Sequence, residues 1–154
     1  MSEDPHGAPF STLYSTTVTV DGGEAGHGRA TGRARSADGV LDISLRLPAE
    51  LGGDGEGSNP EQLFAAGFAA CFHAALSLVA RRAGVSPAAI SVAATVAIGR
   101  DPADGGYRLR ADLLVTWPGV EAATAAPLLA QADSLCPYAR MARQGAPATI
   151  RLAS

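Results

Sequence analysis

Residues 58–72 read Ser-Asn-Pro-Glu-Gln-Leu-Phe-Ala-Ala-Gly-Phe-Ala-Ala-Cys-Phe, and they predict the first turns of a long apolar helix. Asn59 is a favourable N-cap, Pro60 suits the first helical position, and Gln62 lies three residues after the cap, as in a capping box. Apolar side chains then recur at steps of three and four residues, at Phe64, Phe68, Cys71, Phe72, Ala75 and Val79. Cys71 therefore belongs to the predicted buried face, where a lone cysteine is usually an inert small hydrophobe.

The second of the two cysteines, Cys136, lies in the motif Leu-Cys-Pro-Tyr at residues 135–138. It follows Cys71 by 65 positions, which excludes a local Cys-x-x-Cys motif. A structural disulfide across so long a loop could stabilise the fold by about 4 kcal/mol, but in reducing cytosol paired cysteines are more often catalytic. The alternative for Cys136 is a buried residue at a helix end, with Pro137 as the stop. The three scattered histidines and two cysteines form no recognisable zinc site.

Length and charge narrow the class of protein. A chain of 154 residues suits one domain, predicted at residues 11–154 after a flexible tail at residues 1–10. The net charge of −3 and the lack of a basic block argue against nucleic acid as a partner. Residues 1–7 do not resemble a signal peptide, and we find no apolar run of about 18 residues. We therefore expect no membrane association and a cytoplasmic location.

The N-terminal half of the chain predicts three strands and a helix. Residues 11–20 alternate hydroxyl and apolar side chains, as in a half-buried strand. Residues 30–36 and 40–47 flank an Asp-Gly pair, which is a strong hairpin signal, so the three strands should form a meander. A glycine-rich loop then leads into the capped helix, which is predicted to end near Gly84.

The C-terminal half predicts more strands around a second helix. The strands are expected at residues 90–98, 107–117 and 148–152. The helix should cover about residues 121–136, but an interior proline costs about 3 kcal/mol, so Pro127 favours a start near Ala126. The order β-β-β-α-β-β-α-β, with strands clustered rather than alternating with helices, predicts an α+β fold.

Several further blocks precede the two cysteine motifs in a fixed order. They are Leu13-Tyr14, residues 36–42 (Ser-Ala-Asp-Gly-Val-Leu-Asp) and residues 47–53 (Leu-Pro-Ala-Glu-Leu-Gly-Gly). With these blocks and the motifs around Cys71 and Cys136, the chain resembles the organic hydroperoxide resistance branch of the OsmC family over nearly its whole length. The resemblance implies an OsmC-like α+β fold with a central buried helix, in an intertwined homodimer.

The resemblance also implies an activity, that of a cysteine-based peroxidase acting on organic hydroperoxides. Cys71 would be the attacking thiol and Cys136 the resolving thiol, joined in a transient disulfide. An external dithiol, expected to be a lipoyl group on a partner protein, would restore both thiols. No bound cofactor or metal is expected.

The attacking thiol needs a positive charge beside it. A thiol with an ordinary pKa near 8.5 is only about 3% thiolate at pH 7, and burial raises that pKa. Arginine meets the need because it stays charged when desolvated. In the family this cation follows the glycine turn after the first strand, and the glutamate of the Asn-Pro-Glu-Gln motif, here Glu61, holds it. Extra residues in this turn leave two candidates, of which Arg29 is preferred and Arg33 is second.

These charged residues also have simpler explanations. Each arginine could be a solvated turn or strand charge, and Glu61 could merely stabilise the helix dipole, by less than about 1 kcal/mol. Glu61 and Cys71 are ten residues apart, hence about 15 Å along one helix. If both serve one site, they should come from different subunits, with the two helices antiparallel across a two-fold axis.

Phe64, Phe68 and Phe72 are first of all core residues. At an interface pocket they would also bind the apolar tail of a substrate, which favours alkyl, aryl or fatty-acid hydroperoxides over hydrogen peroxide. Three other functions stay open. They are an OsmC-type peroxidase with a different peroxide preference, a non-enzymatic binder of apolar ligands, and a redox-sensing interaction protein.

Overall fold

A computed structural model describes residues 10–154, and the predicted tail at residues 1–10 lies, apart from Phe10, outside these residues. The described elements are β1 (Val18–Asp21), α1 (Gly28–Thr31), β2 (Arg33–Ser36), β3 (Asp42–Ser44), a 3-10 turn (Ala49–Leu51), α2 (Pro60–Arg82), β4 (Ser91–Arg100), β5 (Tyr107–Thr116), α3 (Ala122–Leu135) and α4 (Pro137–Gln144). Two antiparallel sheets and a set of packed helices confirm the α+β class.

The first sheet is the predicted meander, with β2 between β1 and β3. Gly39 occupies the hairpin turn at φ +75°, a conformation that glycine adopts without a steric penalty. The strands are shorter than predicted. Residues 10–17 are not a strand, because the paired length of β2 is only four residues, and residues 28–31 are helical rather than the start of a strand.

Helix α2 begins as its sequence predicts. The side-chain oxygen of Asn59 accepts a hydrogen bond of 2.9 Å from the backbone N–H of Gln62, and Pro60 is the first helical residue. The helix ends at Arg82, so two arginines lie in its last turn, where they complement the helix dipole. The predicted boundaries at Asn59 and Gly84 are confirmed to within two residues.

Helix α2 is also long and apolar enough to cross a membrane, with a mean hydropathy of 1.9 over its most apolar window. The prediction that the chain has no apolar run of about 18 residues was wrong, because residues 63–80 carry no Asp, Glu, Lys or Arg. Within one chain 33% of that window is buried, and the helix packs against β4, α3 and α4. Core helices of soluble proteins share this length and composition, so the property alone does not indicate a membrane span.

The second sheet is the hairpin of β4 and β5, paired from Ser91 opposite Thr116 to Arg100 opposite Tyr107, which confirms the strands predicted at residues 90–98 and 107–117 to within two residues. Helix α3 begins at Ala122, so the predicted start near Ala126 was wrong. The backbone N–H groups of Thr124 and Ala125 donate to the carbonyl of Glu121 at 3.0 and 2.9 Å. The first turn of α3 is therefore already hydrogen-bonded before Pro127, which lacks a backbone N–H and so removes only one hydrogen bond from the helix.

The C-terminal region departs most from prediction. The second helix ends at Leu135, close to the predicted end at Cys136, but Pro137 then begins a further helix, α4, which was not predicted. The predicted strand at residues 148–152 is also wrong within this chain, because that segment has no regular secondary structure and pairs with no described strand. A strand requires a neighbouring edge, and the side chains of Ile150 and Leu152 are almost fully exposed.

The main core lies between α2, β4, α3 and α4. Its buried apolar side chains are Phe68, Phe72, Leu76, Val79, Ala80, Ile90, Trp117, Leu128, Ala132, Cys136 and Ala139. Among residues 10–154, only Ala34 and Leu45 are buried apolar residues outside this cluster, and both belong to the N-terminal sheet region. The N-terminal sheet thus has very little core of its own.

Candidate functional site

The two cysteines lie side by side. The Sγ atom of Cys136 is 3.6 Å from the Sγ atom of Cys71, and both residues are free thiols. Cys71 is partly accessible, whereas Cys136 is fully buried. A disulfide bond is about 2.05 Å long, so an approach of roughly 1.5 Å would join them.

The sequence around Cys136 explains how the thiol reaches α2. Helix α3 ends at Leu135, and Cys136 takes an extended conformation (φ −68°, ψ 116°) before α4 begins at Pro137. A residue before proline is disfavoured in the helical conformation, while proline is well suited to the first helical position. Cys136 is therefore a single non-helical residue between α3 and α4, and its side chain lies against α2 at Cys71.

The surroundings of Cys71 disfavour its reactive thiolate form. Burial is the largest influence and raises the pKa of the thiol, and the neighbouring Cys136 raises it further. The backbone N–H of Tyr138 acts in the opposite direction and lowers the pKa. None of these leading influences is a cation, and the pKa is raised overall. Among residues 10–154, no cation is thus a leading influence on the thiol, although an attacking thiolate needs one.

Arg29 and Glu61 form a second pair. Two guanidinium nitrogens of Arg29 donate to the two carboxylate oxygens of Glu61, at 3.0 and 2.8 Å. The Glu61 side chain is only 13% exposed. The hydrogen bonds from Arg29 lower the pKa of Glu61, and the hydrogen bonds to Glu61 raise the pKa of Arg29. Both groups are therefore charged at neutral pH, and the two parallel hydrogen bonds fix the plane of the guanidinium.

The glycine-rich turn has a structural role that sequence reasoning left open. It folds into α1, in which the N–H groups of Ala30 and Thr31 donate to the carbonyl of His27, each at 3.0 Å. The Thr31 hydroxyl closes the loop by donating to the carbonyl of Gly22 at 2.6 Å. Helix α1 and the hydrogen bond from Thr31 to Gly22 thus position Arg29 beside Glu61.

Arg33 is engaged elsewhere. Its guanidinium donates to the two carboxylate oxygens of Asp42, at 2.6 and 2.8 Å, on the exposed side of β2 and β3. Both side chains are at least 40% exposed, which is typical of a surface ion pair. The geometry therefore favours Arg29 over Arg33 as the arginine that serves Glu61.

One chain does not bring all four predicted residues together. Glu61 lies in the first turn of α2, and Cys71 lies ten residues later, about 15 Å along the axis. Since Arg29 is bound to Glu61, it lies at the same end of the helix. The structure thus contains a thiol pair and an arginine–glutamate pair at separate places.

The three phenylalanines share one cavity of about 650 Å³ between α2, β5, α3 and α4. Phe64 and Phe68 pack edge to face, with ring centroids 5.8 Å apart. The Tyr138 ring lies 6.2 and 6.0 Å from these two rings. Other residues around the cavity include Leu109, Leu113, Leu129 and the ion pair of Asp133 and Arg143. The cavity is predominantly apolar and lies beside the helix turn that carries Cys71.

Sequence reasoning missed Gly67 and Tyr138. A glycine inside a helix costs about 1 kcal/mol relative to alanine, which is a signal of close packing that could have been used. In the structure the Tyr138 ring lies directly over Gly67. Among residues 10–154, no group of three or more His, Cys, Asp or Glu side chains is placed to bind a metal ion.

Comparison with known proteins gives consistent matches. The family model described as OsmC-like protein matches residues 53–151. An organic hydroperoxide resistance protein of Xanthomonas axonopodis pv. citri is 39% identical over 148 residues, which are 95% of this chain and 99% of that protein. The crystal structure of an organic hydroperoxide resistance protein from Elizabethkingia anophelis is similar with a TM-score of 0.78 and 38% identity, covering 88% of this chain and 92% of that one. That of OhrB from Bacillus subtilis has a TM-score of 0.74 and 34% identity, covering 86% and 93%.

Proposed function

Because this chain belongs to the organic hydroperoxide resistance proteins of the OsmC family, we propose that it is a thiol peroxidase that reduces organic hydroperoxides to alcohols. The family membership confirms the resemblance seen in the sequence. The observation that carries the proposal is the 3.6 Å approach of a partly accessible thiol, Cys71, to a buried one, Cys136.

The difference in accessibility between the two thiols supports the roles proposed for them. The Cys71 thiolate attacks the distal, hydroxyl-bearing oxygen of the peroxide, the O–O bond breaks, and the alkoxide leaves and takes a proton from solvent to become an alcohol. Cys71 is then a sulfenic acid. The Cys136 sulfur attacks the Cys71 sulfur, the S–O bond breaks, and the departing hydroxide takes the thiol proton to become water. The product is a Cys71–Cys136 disulfide.

An external dithiol completes the cycle. Its two thiols reduce the disulfide by exchange and are themselves oxidised to a cyclic disulfide. A lipoyl group on a partner protein has this chemistry and is our proposed reductant. The cycle uses no bound cofactor or metal, and its dependence on reduced thiols fits a cytoplasmic location.

A second copy of the chain would complete the site. An apolar surface remains uncovered on single chains, with Val20 of β1 52% exposed and Leu114 of β5 65% exposed. The N-terminal sheet has almost no core, and Ile150 and Leu152 of the C-terminal segment, which pairs with no described strand, are almost fully exposed. An intertwined homodimer would cover these surfaces. With the two α2 helices antiparallel, each Arg29–Glu61 pair would lie near the other chain's Cys71.

The cavity lined by Phe64, Phe68 and Phe72 supports a preference for apolar substrates. Its volume of about 650 Å³ is in the range of small-molecule sites. An alkyl, aryl or fatty-acid tail would gain free energy by leaving water there, whereas hydrogen peroxide has no such tail.

A turnover assay tests this function. Peroxide consumption driven by dihydrolipoamide should be about 10- to 100-fold more efficient with cumene hydroperoxide than with hydrogen peroxide, since burying a phenyl-sized group contributes about 1.5–3 kcal/mol. The measurement is kcat/KM for each peroxide, with reactions lacking protein as the control. A protein that binds cumene hydroperoxide without consuming it would instead be a binder of apolar ligands.

The Cys136→Ser variant separates the two chemical steps. It should reduce one equivalent of peroxide and then stop, because the sulfenic acid at Cys71 has no thiol with which to condense. Under excess peroxide Cys71 should proceed to sulfinic acid, as measured by mass spectrometry of the intact protein. An unmodified Cys71 after this treatment would contradict its role as the attacking thiol.

A further inference from the structure

The contact between Gly67 and Tyr138 links α4 to the helix that carries the attacking thiol. A β-carbon added at Gly67 would lie 2.8 Å from the Tyr138 hydroxyl oxygen and 3.2 Å from the ring carbon that bears it. The first distance is shorter than real β-carbon contacts and the second is at their tight limit, so the end of the tyrosine side chain would have to move by a few tenths of an ångström. Glycine is therefore the residue that leaves room for the tyrosine at this point of the helix.

The position of this contact matters because Gly67 and Cys71 lie one helical turn apart on the same face of α2. Tyr138 spans the distance between them. The hydroxyl end of its ring lies against Gly67 and the ring packs beside Phe64 and Phe68, while its backbone N–H lowers the pKa of the Cys71 thiol. One residue thus contacts the glycine and influences the reactive thiol.

The backbone donor is free to serve Cys71. Tyr138 is the second residue of α4, and the first N–H groups of a helix have no partner within it. Cys136 precedes this helix as its N-cap, but its side chain makes no capping hydrogen bond. The beginning of α4 therefore presents both an unpaired N–H and the resolving thiol to Cys71.

We propose that Gly67 is a positioning residue, and that by seating the Tyr138 ring it holds the start of α4 against Cys71. This contact between Gly67 and the Tyr138 ring positions two groups, a backbone donor and a thiol. It directs the Tyr138 N–H to the thiolate that attacks the peroxide, and it keeps the Cys136 thiol close enough to condense with the sulfenic acid. The second consequence rests on the proposed function, whereas the first concerns the resting thiol and does not.

Gly67→Ala is the test, since the added methyl group must displace the tyrosine. Displacements of about 1 Å can slow reactions between positioned groups on the order of 100-fold. The clash requires less movement than this, so we expect about tenfold slower formation of the Cys71–Cys136 disulfide after one equivalent of cumene hydroperoxide, followed by quenching and mass spectrometry. Gly99→Ala is the matched control, because a methyl group there meets nothing within 4 Å.

A second readout needs no peroxide. In a Cys136→Ser background, Gly67→Ala should move the midpoint of Cys71 alkylation to higher pH, because the thiolate loses its backbone donor. A double-mutant cycle identifies the cause. In a Tyr138→Phe background, which removes the closest atom, Gly67→Ala should slow disulfide formation and shift the alkylation midpoint less than it does in the parent.

The outcomes are distinct. An added alanine stabilises a helix by about 0.5–1 kcal/mol, so a slower variant with an unchanged or higher melting temperature is not merely unfolded. Unchanged disulfide formation and an unchanged alkylation midpoint in Gly67→Ala would overturn the inference, as would an effect that is equally large with Tyr138→Phe. If the parent protein forms no disulfide with peroxide, the proposed function fails. The pH dependence of Cys71 alkylation would still test whether Gly67 positions Tyr138.

Discussion

Replacing Cys71 with serine should abolish peroxide turnover to the level of the reaction without protein. A serine hydroxyl is almost wholly protonated at neutral pH and is a poor nucleophile without an adjacent general base, and no base or cation is among the leading influences on this position in one chain. The variant also cannot form the disulfide with Cys136, 3.6 Å away. We expect a loss of several orders of magnitude in kcat/KM with cumene hydroperoxide and dihydrolipoamide.

Two comparisons make this result interpretable. Ala70→Ser adds a hydroxyl group to the exposed neighbour of Cys71 on the same helix, and it should retain turnover. Circular dichroism and melting temperature should show that Cys71→Ser is folded, because serine and cysteine have similar volumes. Steady-state turnover by a folded Cys71→Ser protein would rule out the proposed mechanism.

The sequence was most informative where local chemistry determines structure. The cap at Asn59 and Pro60 defined the start of α2, and an Asp-Gly pair located the first hairpin, because these signals act through neighbouring backbone groups. The same applies to the pair of strands β4 and β5. Predictions failed where the outcome depends on a distant partner. Residues 11–17 and 148–152 have strand-like patterns, yet within the described part of the chain neither segment joins a sheet.

Proline limited the prediction at two places. At Pro127 the sequence rule was too strict, since a helix whose first turn is hydrogen-bonded to Glu121 tolerates the loss of one hydrogen bond. At Pro137 a helix stop was one alternative, and a helix does end at Leu135, but proline is equally suited to a helix start, and the start of α4 was not predicted. Without α4, the role of Tyr138 could not be predicted, because its N–H is a free donor only at a helix N-terminus.

The candidate site was predictable as residue types but not as an arrangement. The bidentate contact of Arg29 with Glu61 depends on the fold of a glycine-rich turn that has no regular periodicity. The thiol pair could be named from the resemblance, but its 3.6 Å distance depends on the break between α3 and α4. Both features arise from tertiary packing, which sequence patterns do not encode directly.

Removing the Arg29 guanidinium should have the second largest effect. In the proposed dimer it stabilises the Cys71 thiolate of the other chain, so Arg29→Ala should raise the pKa of that thiol beyond the increase already caused by burial. A rise of two units would leave about 100-fold less thiolate at neutral pH and corresponds to about 2.7 kcal/mol. The pH dependence of thiol alkylation, in a Cys136→Ser background, measures it. Arg33→Ala is the control, because its partner is the exposed Asp42, and an equal shift in both variants would contradict the assignment.

The arrangement of the two subunits can be tested by mixing defective chains. Glu61 binds Arg29 within its own chain but lies about 15 Å from its own Cys71 along α2. Neither a Cys71→Ser nor a Glu61→Ala homodimer should turn over efficiently. In their heterodimer, one site would combine the intact Cys71 of one chain with the intact Glu61 of the other. Random exchange at equal amounts makes about half of the dimers mixed, with one restored site of two, so about a quarter of the activity should return.

If mixed dimers form, as native mass spectrometry can establish, and activity stays absent, then Glu61 does not act across the interface. Recovery to about a quarter is specific to the crossed arrangement, because a site built within one chain would leave every site in the mixture with at least one defect.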